Sequence, residues 1–199
     1  MISIINLEKS PPYNKFQKLY DDAIKLKQPS IEAICISSYS QDLSLVDSRF
    51  VNLKYVKENE WIFFSNYNSN KAMQFMEHKQ ISACMYWHKT DTQIRLKAKI
   101  KKSDKNFSDN HYKNRAISKN ALAHSSNQSK IINSYEDVKN KYAKYLNDEN
   151  LLRKRPEYWG GYSFVPYQIE FWVGNPNRLN YREVHEMVGE SWTKTIIEP

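Results

Sequence analysis

Glycine is scarce in this chain of 199 residues, and its distribution excludes a common way of binding nucleotides. The four glycines all lie near the C-terminus, at Gly160, Gly161, Gly174 and Gly189. The sequence therefore contains no GxGxxG or Walker motif, in which backbone groups of a glycine-rich loop cradle a phosphate. Any bound phosphate must be held largely by basic and hydroxyl side chains.

Cysteine is equally scarce. The only two, Cys35 and Cys84, lie in the apolar stretches EAICIS and ISACMYW, where buried free thiols are the common outcome. We expect no disulfide framework and no catalytic cysteine. The five histidines are scattered, without HExxH or paired cysteines, so the sequence predicts no metal site. A serine hydrolase is also unsupported, because there is no GxSxG motif.

Long hydrophobic runs are missing as well. No apolar run approaches the roughly 18 residues of a membrane span, and the start of the chain, MISIINLEKSPPYNKF, lacks the pattern of a secretory signal. We therefore expect a soluble, cytoplasmic protein without a membrane partner. The length fits a single domain over 1–199, with 1–29 as an N-terminal helical segment.

The net charge of +8, with a pI of about 9.3, suggests an anionic partner. Charge alone does not distinguish nucleic acid from a small phosphate ester. The cations are spread over many elements, and the sequence shows neither an RNP-like nor a helix-turn-helix signature. Nucleic acid is therefore the least favoured partner.

Apolar periodicity predicts a first helix after Pro11 that ends before Pro29, and a second helix within SNKAMQFMEHK. Residues 103–146 look mostly helical, with a loop at NALAHSSNQSK (120–130). Stretches rich in β-branched and aromatic residues predict strands, with Lys57 to Asn59 as a hairpin connector. These stretches are 31–37, 49–56, 60–66, 81–87, 93–102, YSFVPYQIEFWVG (162–174) and RLNYREV (178–184).

The stretch QIRLKAKIKK alternates apolar residues with Arg95, Lys97, Lys99 and Lys101, which predicts a strand with one buried face and one solvated basic face. Many short antiparallel strands and a few peripheral helices indicate an α+β, barrel-like domain.

A set of collinear motifs resembles the pyridoxamine 5′-phosphate oxidase family, whose members are FMN enzymes. The resemblance runs from about Phe16 to Pro199, and although each motif alone is weak, their order and spacing are specific. The motifs are RFVNLK (49–54), FFSNYNSNKA (63–72), YWHKTDTQIRLKA (86–98), NALAHSSNQS (120–129), RPEYWGG (155–161), IEFWVG (169–174) and RLNYR (178–182).

The resemblance implies a split β-barrel of antiparallel strands with peripheral helices. It also implies a homodimer with FMN at the subunit interface. The family's cofactor-binding positions fall on Arg49, Lys54, Phe64, Ser65, Asn70, Lys71, Gln93, Gln128, Ser129, Trp172 and Arg182, with Asn70 replacing an arginine. A flavin suits such a set, because its ring needs aromatic surroundings and its phosphate needs cations.

The family's substrate-binding positions fall on Lys54, His111, Arg115, Lys119, Arg178 and Asn180, and Arg178 and Asn180 are also its catalytic positions. The sequence departs from the family at three of these. His111 stands where tyrosine is usual, Lys119 where serine is usual and Asn180 where histidine is usual. Tyr112 is an alternative to His111 if the register shifts by one residue.

These residues leave three functions open. The first is FMN-dependent oxidation of pyridoxine or pyridoxamine 5′-phosphate by oxygen to the vitamin B6 cofactor pyridoxal 5′-phosphate. The second is oxidation of another anionic ring compound, as in phenazine pathways, and the departures His111, Lys119 and Asn180 favour it. The third is non-catalytic binding of FMN or pyridoxal phosphate, which the missing imidazole at Asn180 favours. The sequence leaves the true substrate, the electron acceptor and any secondary pyridoxal phosphate site open.

Overall fold

A computed structural model describes residues 1–199 and consists of one ten-stranded sheet with six helices. The strands are β1 (Ser3–Ile5), β2 (Ala33–Ser40), β3 (Leu45–Asn52), β4 (Tyr55–Lys57), β5 (Glu60–Asn66), β6 (Gln80–Trp87), β7 (Thr92–Lys102), β8 (Trp159–Val173), β9 (Tyr181–Val188) and β10 (Ser191–Ile197). The helices are α1 (Pro11–Lys25), α2 (Asn70–Glu77), α3 (Lys105–Lys113), α4 (Ile117–Ser125), α5 (Tyr135–Leu146) and α6 (Glu149–Leu152).

The strands follow the order β1-β4-β5-β8-β7-β6-β2-β3, and β9 pairs with both β8 and β10. All these pairs are antiparallel except β1 with β4, which is parallel. The predicted α+β class is confirmed. The N-terminal segment 1–29 contains β1 as well as α1, so it is not purely helical.

The predicted alternation along β7 is confirmed. Ile94, Leu96, Ala98 and Ile100 are buried, whereas the basic residues between them face outward. The inward-facing residues belong to one hydrophobic cluster of 26 side chains that also includes the apolar face of α1. Phe16 on that face lies 4.5 Å from the ring of Trp61, measured between ring centroids. Burial of large aromatic rings therefore fixes α1 against the sheet.

The predicted strand over 49–56 is wrong as a single element. The chain leaves β3 at Asn52 and re-enters the sheet as β4 at Tyr55. At the break, the Leu53 amide donates to the Glu32 carbonyl, and the Lys54 amide donates to the Ile62 carbonyl. Successive amides therefore bond to two different parts of the sheet, and the chain changes its hydrogen-bonding partner between Leu53 and Lys54. The apolar periodicity of a single strand cannot reveal such a change of partner.

The predicted loop at 120–130 is also wrong in its first half, because α4 continues to Ser125. Asn120 explains part of the difference. Its side chain is buried and donates to the carbonyls of Tyr112 and Leu152, so it links α4 to its neighbours and does not break the helix. The loop begins only at Ser126.

The paired glycines of β8 are required by close packing. A Cβ atom on Gly160 would collide with the ring and hydroxyl of Tyr67, and one on Gly161 would lie 2.7 Å from Ser103 Oγ. The Tyr67 hydroxyl donates to the Gly161 carbonyl at 3.1 Å. The two glycines therefore let Tyr67 lie directly on the strand.

Cys35 and Cys84 are free and lie opposite each other in the register of β2 and β6. Both are half-buried on the outer face of the sheet, so the expectation of buried thiols is wrong. The alternation of each strand directs their neighbours Ile34, Ile36 and Ala83 inward instead. None of the helices combines the length and apolar character needed to cross a lipid bilayer.

Candidate functional site

A cavity of about 840 Å³ opens between β3, β5, the start of α2 and the segment from α3 to the loop after α4. Most of the predicted cofactor and substrate residues line it together, although they come from distant parts of the chain. These are Arg49, Lys54, Phe64, Ser65, Asn70, Lys71, His111, Arg115, Lys119, Gln128 and Ser129. Tyr112 does not line the cavity and is buried behind it, which favours His111 in the predicted register.

The cavity is strongly cationic. Asp47 is the only acidic residue in its lining, against five lysines and arginines. Arg49 lies 3.4 Å from Asp47, and Lys54 lies 3.7 Å from Glu32. Lys71, Arg115 and Lys119 have no carboxylate within ion-pair distance, so their charges are uncompensated within the protein. The cavity therefore has the electrostatics of an anion-binding site.

One corner of the cavity is formed by Arg49 and the first turn of α2. The Arg49 guanidinium donates to Gln74 Oε1 at 3.0 Å and to the Ser38 hydroxyl, which fixes its orientation. Lys71 donates to Ser69 Oγ at 3.1 Å. Burial, together with the nearby Arg49 charge, lowers the pKa of Lys71 to about 8. An anion bound here would favour the charged form of Lys71 and compensate its desolvation.

A second wall of the cavity is aromatic. The rings of Phe64 and His111 are stacked, with centroids 3.7 Å apart and planes 9° apart. The Trp159 ring is nearly parallel to both, with its centroid 5.4 Å from that of Phe64 and 6.2 Å from that of His111. The Arg115 guanidinium lies over the Trp159 ring at 4.2 Å. This wall offers flat apolar surface beside the cations.

Trp159 is a lining residue that the sequence-based assignment missed. The RPEYWGG motif contributes to the family resemblance, but the predicted site residues do not include its tryptophan. Asn114, between α3 and α4, was missed in the same way. For Trp159 the signal was present, because it immediately precedes the paired glycines of β8. For Asn114 the sequence gives no signal that we can identify.

His111 is held in the uncharged form. Burial is the main cause, and the neighbouring Arg115, Lys54 and Lys119 charges add to it, lowering the pKa of His111 to about 4. Its Nδ1 atom lies 2.8 Å from the Tyr55 hydroxyl. At neutral pH the ring therefore acts through neutral hydrogen bonding and not as a cation.

Three other predicted cofactor residues form a row on a different part of the sheet. Gln93 on β7 lies opposite Trp172 on β8, and Trp172 lies opposite Arg182 on β9. Arg182 is oriented by Glu170, whose carboxylate accepts from it at 2.8 Å. None of the three lines the cavity of the same chain.

The predicted catalytic residues Arg178 and Asn180 also lie away from the cavity. Both belong to the loop between β8 and β9, and not to a strand from residue 178 as predicted. Arg178 has a positive φ of 62° and takes part in no ion pair. The Asn180 side-chain oxygen accepts from the Asn175 amide at 3.0 Å. This loop-internal bond shapes the turn that displays Arg178.

Two solved structures share this fold. PhzG from Burkholderia lata 383, solved in complex with tetrahydrophenazine-1-carboxylic acid, superposes with a TM-score of 0.89 at 23% identity, covering 96% of this chain and 93% of that one. A pyridoxamine 5′-phosphate oxidase-related, FMN binding protein from Nostoc punctiforme has a TM-score of 0.78 at 13% identity, covering 96% and 98%. The predicted split barrel is confirmed by this likeness.

Sequence similarity then identifies the family. Residues 159–199 match the family described as the pyridoxine 5′-phosphate oxidase C-terminal dimerisation region. Pyridoxine/pyridoxamine 5′-phosphate oxidase of Trichormus variabilis is 31% identical over 190 residues, which cover 94% of this chain and 88% of that protein. The chain belongs to the pyridoxine/pyridoxamine 5′-phosphate oxidase family. The predicted recognition is confirmed.

Proposed function

We propose that this protein is an FMN-dependent oxidase that converts pyridoxine 5′-phosphate or pyridoxamine 5′-phosphate to pyridoxal 5′-phosphate with oxygen as acceptor. One observation supports this most strongly. A single cavity combines an aromatic wall with cations that have no carboxylate partner, namely Lys71, Arg115 and Lys119. A flat ring and two phosphate groups, one from the cofactor and one from the substrate, match that combination.

The residues of the corner around α2 fit the phosphate of FMN. Arg49 and Lys71 supply charge, and Asn70 and Ser65 supply neutral donors in the same lining. The desolvated Lys71 ammonium gains most from an anion at this point, because burial disfavours its charged form. When bound, FMN supplies the group that accepts a hydride and passes the electrons to oxygen. The protein supplies position and electrostatics.

The substrate phosphate would be bound at the other end of the cavity. Lys54, Arg115 and Lys119 converge there, and all three charges act on the neighbouring His111. His111 adds a hydrogen-bonding nitrogen at the position of the family's tyrosine. Fixing the phosphate in this way holds the reacting carbon of the substrate in one orientation, which is the main catalytic contribution we assign to these residues.

We further propose that two copies of the chain complete each site. The row of Gln93, Trp172 and Arg182 lies off the cavity of its own chain, so it is available to the cavity of a second copy. The outer face of the sheet carries large exposed apolar side chains, among them Phe50 at 74% and Val46 at 70% exposure. Burial of such surface in a homodimer would stabilise it. In this arrangement residues 1–199 form one domain.

In the same dimer, Arg178 would cover the pyridine ring of the substrate and Asn180 would lie beside the reacting carbon. Two observations support this role of Arg178. Its side chain is exposed on the loop between β8 and β9, and it forms no ion pair with a carboxylate. Asn180 offers hydrogen bonds but cannot accept a proton as imidazole does. We therefore assign Asn180 a binding role and no proton transfer.

A second candidate is an oxidase of another anionic ring compound, and one feature of the cavity favours it. A groove of about 360 Å³ between α4 and α5 adjoins the main cavity through the shared residue Lys119. Its lining includes Tyr135, Val138 and Tyr142, so it offers apolar space that a single pyridine ring does not need. A larger aromatic acid would use that space.

An anaerobic titration of the FMN-loaded protein with pyridoxine 5′-phosphate tests the proposal. We expect the visible flavin absorbance to bleach and to return in air, with formation of pyridoxal 5′-phosphate. Bound FMN that keeps its colour would reject the first candidate, and a fused-ring aromatic acid then replaces the substrate in the same titration. If neither compound bleaches a tightly bound FMN, the protein is a binding protein and not an oxidase.

A further inference from the structure

Tyr55 lies directly behind His111 and outside the cavity. Its hydroxyl is 2.8 Å from His111 Nδ1, whereas the cavity lining includes His111 but not Tyr55. The Tyr55 ring meets the rings of His111, Phe64 and Phe107 edge-on, at centroid distances of 5.5, 6.2 and 5.1 Å. Tyr55 can therefore affect a ligand in the cavity only through the residues that it touches.

The ring of His111 is also restrained on its face. Phe64 stacks on it at 3.7 Å with planes 9° apart, so the imidazole cannot rotate out of its plane without losing that contact. Phe64 is on β5 and Tyr55 is on the adjacent strand β4, where it pairs with Ile62. The imidazole plane is thus set by one strand and the position of Nδ1 by the next.

The direction of the Tyr55–His111 hydrogen bond follows from the charge states of the two groups. Burial raises the pKa of Tyr55, so the phenol keeps its proton. Burial and the charges of Arg115, Lys54 and Lys119 keep His111 neutral, and its one side-chain hydrogen bond is to the Tyr55 hydroxyl and not to a carboxylate. A neutral imidazole has one accepting and one donating nitrogen, and its accepting nitrogen is a stronger base than a phenol oxygen. The tyrosine therefore donates to Nδ1.

We propose that Tyr55 is a positioning residue that fixes His111 in the Nε2–H tautomer, so that His111 offers one neutral N–H donor to a phosphate oxygen of the substrate. The inference rests on the proposed function in one respect, the identity of the bound group as a phosphate ester. The Nε2–H group of His111 can donate only to a phosphate oxygen that carries no proton. Lys54, Arg115 and Lys119 supply the positive charge that compensates the negative charge of the phosphate. An imidazole with a bare Nε2 would repel the same oxygen.

The tautomer can be read directly by long-range ¹H–¹⁵N NMR of FMN-loaded protein labelled with ¹⁵N-histidine. The His111 signals are assigned by their loss in His111→Gln. We expect one Nε2–H tautomer in the wild type and a shift towards a tautomer mixture in Tyr55→Phe. A wild-type Nδ1–H tautomer, or identical nitrogen shifts in Tyr55→Phe, would overturn the proposal. Tyr167→Phe is the matched control, because it removes a hydroxyl that bonds to Gln80 away from the cavity.

A double-mutant cycle tests whether Tyr55 acts through His111. Binding of pyridoxal 5′-phosphate and of unphosphorylated pyridoxal is measured by calorimetry for Tyr55→Phe, His111→Gln and the double variant. If about half of the His111 rings remain in the Nε2–H form, phosphate-ester binding should be about two-fold weaker in Tyr55→Phe, with no change for pyridoxal. In the His111→Gln background, Tyr55→Phe should have no further effect. Equal losses in both backgrounds would contradict the proposal.

These readouts separate the failure of the inference from the failure of the proposed function. Neither the tautomer nor the binding cycle requires turnover. If the titration with pyridoxine 5′-phosphate shows no oxidation while the tautomer shift and the coupling persist, the proposed oxidase activity fails and the role of Tyr55 stands. If oxidation proceeds but the tautomer shift or the coupling is missing, the role of Tyr55 fails alone.

Discussion

Two groups of partly or fully buried charged side chains in this protein differ in how their charge is compensated. In the first, around Glu183, the carboxylate bonds to Lys15 at 2.8 Å, to His185 at 2.6 Å and to the Tyr181 hydroxyl. In the second, the cavity, cations such as Lys71 and Arg115 have no acidic partner. The first group ties α1 to β9 and has no need of a ligand. The second group lacks a negatively charged partner within the protein. Partly buried cations without such a partner indicate a binding site for an anion better than net charge alone does.

Removal of the carboxylate from the compensated group should give the largest effect on stability. We expect Glu183→Gln to lower the free energy of unfolding by about 3 kcal/mol, because Lys15 and His185 lose their shared partner. Urea denaturation measures this loss. Glu149→Gln is the control, since its pair with Arg153 is exposed and should contribute little. A loss no greater than that of the control would remove the distinction between the two groups.

The same carboxylate predicts an acid sensitivity. Burial alone would raise the pKa of Glu183, but hydrogen bonds from Lys15, Tyr181 and His185 outweigh it and lower the pKa to about 2. Because the folded pKa is below the unfolded one, this stabilisation is complete above pH 4.5 and is lost as the pH falls towards 2. Glu183→Gln should therefore lose less stability than the wild type between pH 4.5 and 2. Parallel losses in the two proteins would exclude this assignment.

Arg178 extends the comparison to an uncompensated cation outside the cavity. If it covers the substrate ring, Arg178→Ala should reduce turnover about 100-fold through lost positioning, with FMN affinity and stability almost unchanged. Steady-state kinetics and FMN titration separate the two effects. Arg153→Ala serves as the control, because this exposed arginine is paired within α6 and the turn after it. Equal losses of turnover and FMN affinity would count against the role of Arg178.

Replacement of Lys71 should have the opposite pattern of effects to replacement of Glu183, because it should weaken ligand binding without lowering stability. Replacement by methionine removes a desolvated charge that has no carboxylate partner, so we expect Lys71→Met to keep or slightly increase the stability of the FMN-free protein. FMN affinity should fall about ten-fold, because one charged contact to the phosphate is lost. Fluorescence titration with FMN and with riboflavin measures this. A similar loss for riboflavin, which lacks the phosphate, would contradict the assignment.

The smallest expected effect concerns His111. Burial and the Arg115, Lys54 and Lys119 charges lower its folded pKa to about 4, below the ordinary value of 6.5. As the pH falls from 6.5 towards 4, the unfolded chain takes up a proton at this histidine before the folded protein does. The free energy of unfolding should therefore be unaffected above pH 6.5 and fall by about 1 kcal/mol towards pH 4, once solvent screening is allowed for. His111→Gln should flatten stability over this range. An unchanged profile would mean that His111 titrates normally.

Much of the cavity was predictable from the sequence, because its residues lie in motifs whose order and spacing are typical of the family. Arg49, Ser65, Lys71 and Gln128 were assigned in this way and do meet in one cavity. The alternation of β7 was predictable from local periodicity, since inward and outward positions follow the pleat of a strand.

Other features depend on contacts that no local pattern encodes. The break between β3 and β4 follows from a change of hydrogen-bonding partner, and the buried side chain of Asn120 links α4 to its neighbours where the sequence predicts a loop. The Tyr55–His111 contact joins residues 56 positions apart on β4 and α3. Trp172 and Arg182 stay predictions, because their proposed ligand contacts lie across a dimer.

Strand β8 has a consequence for how the protein is made. It pairs with β5, β7 and β9, yet it begins only at Trp159, near the end of the chain. During synthesis, β5 and β7 leave the ribosome long before their shared partner exists, so both expose unpaired edges. A nascent or truncated chain that ends before β8 cannot close the sheet. Such chains should depend on chaperones and aggregate readily, because the last fifth of the sequence supplies the strand that β5 and β7 both need as a partner.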